Sequence, residues 1–166
     1  MAHNEPMWVR LPDWMIADGE PPAPAAGTTL VQLGVRLLGT ATPAGVRRDE
    51  VREVPEASPD QVRYMATGII EDSRDWETFV NNESQHAGCE LVLAANGLRL
   101  QVTIDGHARD WPEGMQVTTT GRFEAIGEYE WESFLLVETR SSWLVRDVRP
   151  VSNGDLVIDL VQGAAQ

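Results

Sequence analysis

The stretch Glu90–Asp105, ELVLAANGLRLQVTID, decides the fold. Asn96-Gly97 stands between two apolar arms, and both residues tolerate the positive φ of a type I′ turn, whose twist matches that of paired strands. Beyond the turn Leu98, Leu100, Val102 and Ile104 alternate with Arg99, Gln101, Thr103 and Asp105. A period of two sends the four apolar side chains to one face and the polar ones to the other, so the arms read as strands with one face on a core. A one-residue slip would expose all four, and the register is therefore fixed.

The same signals extend outward. Val62–Glu71 (VRYMATGIIE) reads as a strand with Gly68 inside it. Residues 72–88 are polar and read as loop, with room for a helical turn at Trp76–Val80. Downstream, a polar connector over Gly106–Gly114 leads to strands at Met115–Ala125, Phe134–Thr139 and Trp143–Val148, and Leu156–Val161 reads as an edge strand. Toward the N-terminus, Thr28–Leu38 (TTLVQLGVRLL) is β-branched and apolar, and Gly34 in mid-run predicts a bulge or bend. The Pro/Ala-rich run Asp18–Gly27 is a surface loop. Residues 43–60, with Pro43, Pro55 and Pro59, form a connector holding a short strand at Val46–Val54.

At 166 residues the chain suits one compact domain, long enough to bury about 70% of its unfolded surface. Residues 1–60 supply N-terminal strands and Pro/Ala-rich loops, 61–150 a β-barrel core, and 151–166 an edge strand and tail. From Val62 to Val148 the order is bent strand, loop, hairpin, short connector, bent strand, final strand. That order resembles the five-stranded OB-fold, with Asn96-Gly97 at the second hairpin turn and Arg109–Gly114 where that family often places a helix. An SH3-like barrel fits nearly as well. The expected class is all-β with minor helix, a small five- to seven-stranded partly open barrel. The opening residues Trp8, Val9, Trp14 and Gly27 resemble those of small bacterial proteins of unknown function, which implies no chemistry.

One internal echo stands out. Gly27, Leu30 and Gly34 recur in spacing as Gly114, Val117 and Gly121, with Pro24 and Pro112 shortly before each set. Either half a barrel is duplicated or one turn-and-bend device is used twice. Nothing else aligns between the copies, which favours the second reading.

Thirteen arginines, no lysine and 26 carboxylates give a formal net charge of −13. Residues 1–60 hold nine acids to five arginines, 61–110 eight to four, and 111–166 nine to four. The excess coats the whole chain, as on a folded domain, and forms no acidic tail. Such a surface repels phosphate backbones and anionic membranes and attracts basic partners, so duplex DNA and membranes are excluded as partners. The missing lysine reads as coding bias. With one cysteine, Cys89, no internal disulfide forms. No signal peptide and no span of the roughly 20 apolar residues that cross a bilayer is present, and the expected compartment is the cytoplasm.

Catalytic signatures are absent: no Walker loop, no G-x-S-x-G elbow and no dinucleotide fingerprint. His86-x-x-Cys89, with Asp105 and His107, is the one metal-like grouping, but structural zinc sites are usually richer in cysteine, and no metal or cofactor is assigned. Glu71, Asp72, Asp75 and Glu77 around Arg74 and Trp76 read as a solvated acidic loop, since no calcium-loop glycine is present. Glu128-Tyr129-Glu130-Trp131-Glu132 would set three carboxylates opposite two aromatics on a strand. Those carboxylates form either an anionic ladder for a basic partner or the wet side of a strand whose aromatics face the core. Trp76 and Trp111, in polar connectors, are the first candidates for exposed anchors. The expected function is a non-enzymatic binding or adaptor protein recognising a basic or mixed protein surface through Trp76, Trp111, Glu128, Glu130, Trp131 and Glu132. Two alternatives are a single-stranded nucleic-acid binder stacking bases on Tyr64, Phe123 and Trp131, and a small-ligand enzyme of unknown reaction.

Overall fold

A computed structural model describes residues 7–17, 24–45, 47–54, 62–126 and 141–162. Nine strands join in one sheet: β1 (Met7–Leu11), β2 (Thr29–Pro43), β3 (Glu50–Val54), β4 (Arg63–Val80), β5 (Glu83–Ala95), β6 (Leu98–Ile104), β7 (Gln116–Ile126), β8 (Ser141–Pro150) and β9 (Leu156–Gln162). A one-turn helix, α1 (Asp13–Ala17), and 3-10 turns at Ala108–Asp110 and Ser152–Gly154 complete the described elements.

The β5–β6 hairpin forms as its sequence requires. Asn96 and Gly97 adopt φ of 47° and 79°, Ala95 faces Leu98 and Cys89 faces Ile104. Leu98, Leu100, Val102 and Ile104 are all buried.

The sheet order is β3-β4-β5-β6-β2-β7-β1-β9-β8, with further pairings β4–β7 and β2–β8. These two pairings close two rings of hydrogen-bonded strands. One runs β4-β5-β6-β2-β7 and returns to β4; the other runs β2-β7-β1-β9-β8 and returns to β2. Both contain the antiparallel β2–β7 ladder, and each has one parallel contact, β2 with β6 or β1 with β7. Among the described residues, buried apolar side chains from every strand of both rings belong to one continuous core. The architecture is thus all-β and ring-like, but its nine described strands exceed the expected five to seven. Leu156–Val161 is not an edge either, because β9 lies between β1 and β8.

The two rings repeat one another closely. Gly27 and Gly114 share a φ of 89°. The Gly27 N–H donates to Val145 (2.8 Å) and the Val145 N–H to Thr28 (2.9 Å); likewise the Gly114 N–H donates to Ile70 (2.8 Å) and the Ile70 N–H to Met115 (3.0 Å). A register shift follows at once in each ring, between Ile70 and Asp72 in one and Val145 and Asp147 in the other. Leu93 is flanked by Ile70 and Leu100 as Leu160 is by Val145 and Met7. The repeat is centred on the Leu37–Phe123 pair of the shared ladder. The echo at Gly27 and Gly114 therefore marks a structural repeat and not merely a turn device used twice. Sequence alignment misses it because β8 and β9, which complete the N-terminal ring, lie at the other end of the chain. The echo fails at its third glycine: Gly121 faces Gly39 across the ladder, whereas the neighbour of Gly34 is Ile126.

Residues 72–88 are not loop. β4 and β5 continue as a ladder to Val80 and Glu83, joined by Asn81 and Asn82 at φ of 52° and 65°. The expectation failed because both faces of this arm are wet, so no apolar alternation marks it as strand.

Candidate functional site

The arm is the feature that leaves the rings. β4 pairs with β7 only as far as Ile69, and β5 with β6 only as far as Cys89. Beyond Cys89 and beyond Ile70, whose backbone still bonds to Gly114 and Met115, the described ladder pairs of the two strands are only with each other. The arm carries Asp72, Asp75, Glu77 and Glu83 against Arg74. Its tip presents Phe79, 75% exposed, and Val80, 44% exposed.

Its base is clamped by the connector between β6 and β7. The Ala108 N–H donates to Asp75 Oδ1 (2.7 Å), and Ser73 Oγ donates to the Ala108 carbonyl (3.4 Å). His86 Nε2 lies 2.6 Å from the Gly106 carbonyl oxygen. The His86 and His107 rings stack with centroids 3.9 Å apart and 19° between planes. His86 Nδ1 is 3.9 Å from Asp75 Oδ1, and one ligand atom from each of Asp75, His86 and His107 lies within 4.8 Å of the others.

Trp76 and Trp111 frame this cluster. A Cβ on Gly88 would sit 2.7 Å from Trp76 Nε1 and 2.9 Å from the Ile104 carbonyl oxygen, so glycine is what lets that indole approach β5. Trp111 Nε1 lies 3.7 Å from where a Cβ on Gly106 would stand, and its ring packs on the core. Both indoles are half-buried, and Trp14, at 42%, is more exposed than either. Glu128, Glu130, Trp131 and Glu132 lie outside the described residues. Cys89 does not join the histidines: it is fully buried, and burial pushes its thiol up to about 11, away from the thiolate that binds metals. Asp105 is exposed and outside the cluster. The sequence signal that finds the cluster is His86 with His107; Asp75 joins only through the arm's ladder.

A second polar group lies buried on the outer face of the first ring. Glu90 accepts from Gln101 Nε2 and Thr103 Oγ1, each at 2.9 Å. Burial pushes the Glu90 carboxyl up, while these bonds and the Arg36 charge pull it back. Burial raises Glu124 likewise, against Arg36 and Arg10.

A cavity of about 720 Å³ opens near the Asn96-Gly97 turn, lined by Arg47, Arg48, Asp49, Glu71, Arg99 and Gln116 among others. Arg99 pairs with Glu71 at 3.1 Å and Arg48 with Glu50 at 3.5 Å. Two of the three arginines here thus have a carboxylate partner. Tyr64 and Phe123 cannot stack bases: both are buried and stack on each other at 4.5 Å.

No family model, no curated protein and no solved structure matches this chain. Among the described residues no helix is long and apolar enough to cross a membrane.

Proposed function

We propose that the protein is a non-enzymatic binding module that recognises a basic or mixed protein surface through the β4–β5 arm and the half-buried tryptophans at its base. One observation carries the reading: an acidic two-stranded arm holds Phe79, 75% exposed, away from the core. A bulky aromatic left in water on an arm that also carries Glu77 and Glu83 is the composition of an anchor with a steering rim. The first ring is read as an OB-like barrel whose fifth strand is β2, taken from the N-terminal third of the chain, with the connector 3-10 turn where that family often has a helix. The compartment is read as the cytoplasm, where a lone buried thiol stays reduced.

Partners captured by cross-linking from native lysate are to be measured individually against the wild type, Phe79→Ser and Trp76→Ala. Truncating a true anchor should cost about 2 kcal/mol or more of binding, with the Phe79→Ser melting temperature unchanged. Replacing Glu77 and Glu83 by Gln should slow association and flatten its salt dependence. Folded Phe79→Ser and Trp76→Ala variants that bind every partner normally would overturn the reading. Duplex DNA should show no shift at ~150 mM salt, because no described basic stripe offsets the field of a −13 chain; sub-micromolar retention would restore the nucleic-acid alternative.

A further inference from the structure

We propose that Asp75, His86 and His107 form a site for one divalent transition-metal ion of the zinc class. Two imidazoles and a carboxylate are the donor set that such ions take, whereas calcium and magnesium prefer oxygen alone. The three residues come from three segments, β4, β5 and the connector, and the fold brings their ligand atoms within 4.8 Å of one another. A four-coordinate ion with bonds of about 2.0–2.2 Å needs donors roughly 3.3 Å apart. The remaining contraction requires the His107 ring to turn out of its stack on His86 so that both lone pairs converge, a side-chain rotation that leaves the His86 contact with Gly106 and the ladder in place.

The tautomer is already suitable. A backbone carbonyl only accepts, so His86 Nε2, 2.6 Å from the Gly106 oxygen, carries the ring proton. The lone pair is then on Nδ1, the atom that faces Asp75 at 3.9 Å. Metal-ligating histidines are oriented by this arrangement, one nitrogen donating to a carbonyl while the other binds. Asp75 is positioned in the same way, since the Ala108 N–H holds Oδ1, the oxygen that lies 3.9 Å from His86 Nδ1, and a carboxylate oxygen keeps a second lone pair for an ion. A chain of net charge −13 also raises the local concentration of cations. Three protein ligands leave at least one position for water or for a donor from elsewhere. The site stands independently of the arm's role in docking.

The test is calorimetric titration of the full chain with Zn²⁺ alone and with Ca²⁺ alone at ~150 mM salt, alongside amide hydrogen exchange. One Zn²⁺ per chain should bind at micromolar affinity or tighter, with Ca²⁺ far weaker. Loss of one of three ligands should weaken Zn²⁺ at least as much as loss of a supporting partner does, about 10–100-fold, in His86→Ala, His107→Ala and Asp75→Ala, while His3→Ala, at the chain's remaining histidine, should leave it unchanged. Because the ion joins the arm to the connector, Zn²⁺ should slow exchange over residues 71–88 in the wild type and not in His86→Ala. His86→Gln provides a second variant that keeps a polar side chain at this position should the alanine variant unfold. Absence of Zn²⁺ binding, equal binding of Ca²⁺, or Zn²⁺ affinity surviving in folded His86→Gln and His107→Ala would overturn the proposal.

Discussion

Glu90 shows most plainly how single residues set the stability of this protein. It is a carboxyl only 7% exposed, and burial raises its pKa above the ordinary 4.5 despite the bonds from Gln101 and Thr103. A raised acid binds its proton more tightly in the folded chain than in the unfolded one. Its contribution is therefore fully favourable below the unfolded value and is lost as pH rises through the folded value. Glu124 and Asp159 are raised by burial too and act in the same direction. Asp155 is the opposite case. Burial opposes its ionisation, but the Arg10 guanidinium at 2.7 Å and the Asp13 N–H hold its carboxyl below the usual range. Its contribution is present above the unfolded value and is lost on acidification. Melting temperatures measured across pH 3–8 should thus fall at the acid end and decline again from about pH 4.5 toward neutrality. Glu90→Gln should stabilise the protein at pH 7 by on the order of 1 kcal/mol, because a neutral amide can still accept from Gln101 and donate to Thr103. The gain should vanish at low pH, where wild-type Glu90 is already protonated; a gain independent of pH would refute the assignment.

Among the elements, β4 shows what the sequence made legible and what it hid. Its first half reads as strand because Tyr64, Ala66 and Ile70 are buried. Its second half does not, because an arm without a core face has no period of two. Gly68 lies in the middle, and the ladder there is continuous from Tyr64 to Ile69 opposite β7. The glycine serves close approach: a Cβ would lie 2.0 Å from the Ala94 carbonyl oxygen of β5. Gly68→Ala should therefore cost about 4 kcal/mol or more, as a forced backbone shift does. Gly27→Ala meets no atom within 4 Å and strains only its φ of 89°, at about 1–2 kcal/mol. Denaturant melts that rank the two equally would contradict this account. The same distinction explains the site. His86 and His107 were visible in sequence, but local spacing offered Cys89 as the partner; the actual third member, Asp75, is set by the long β4–β5 register. Likewise β2, a strand of both rings, joins β6 through a parallel contact that leaves no local signature.

On the scale of the whole molecule, two interlocked rings share the β2–β7 ladder, and the chain crosses between them twice. The ring completed by β8 and β9 is assembled from the two ends of the sequence, since β9 pairs antiparallel with β1 from Met7↔Leu160 to Leu11↔Leu156. Its counterpart in the other ring is the β5–β6 pair, joined by Asn96-Gly97. The structural repeat therefore predicts that the two junctions are interchangeable. A permutant that opens the chain between Asn96 and Gly97 and links residue 166 to residue 1 keeps every ladder and moves only one connection. It replaces a two-residue turn by a loop of the existing residues 163–166 and 1–6, a closure cost of about 1–2 kcal/mol. The loss of the tight turn should also slow folding, because β5 and β6 then meet as a non-local pair. Such a permutant should retain the wild-type far-UV spectrum and a single cooperative melt. A control opened between Gly39 and Thr40, inside the ladder shared by both rings, should not fold. If the Asn96/Gly97 permutant loses its cooperative transition, or the control keeps one, the two rings are not equivalent halves of one structure.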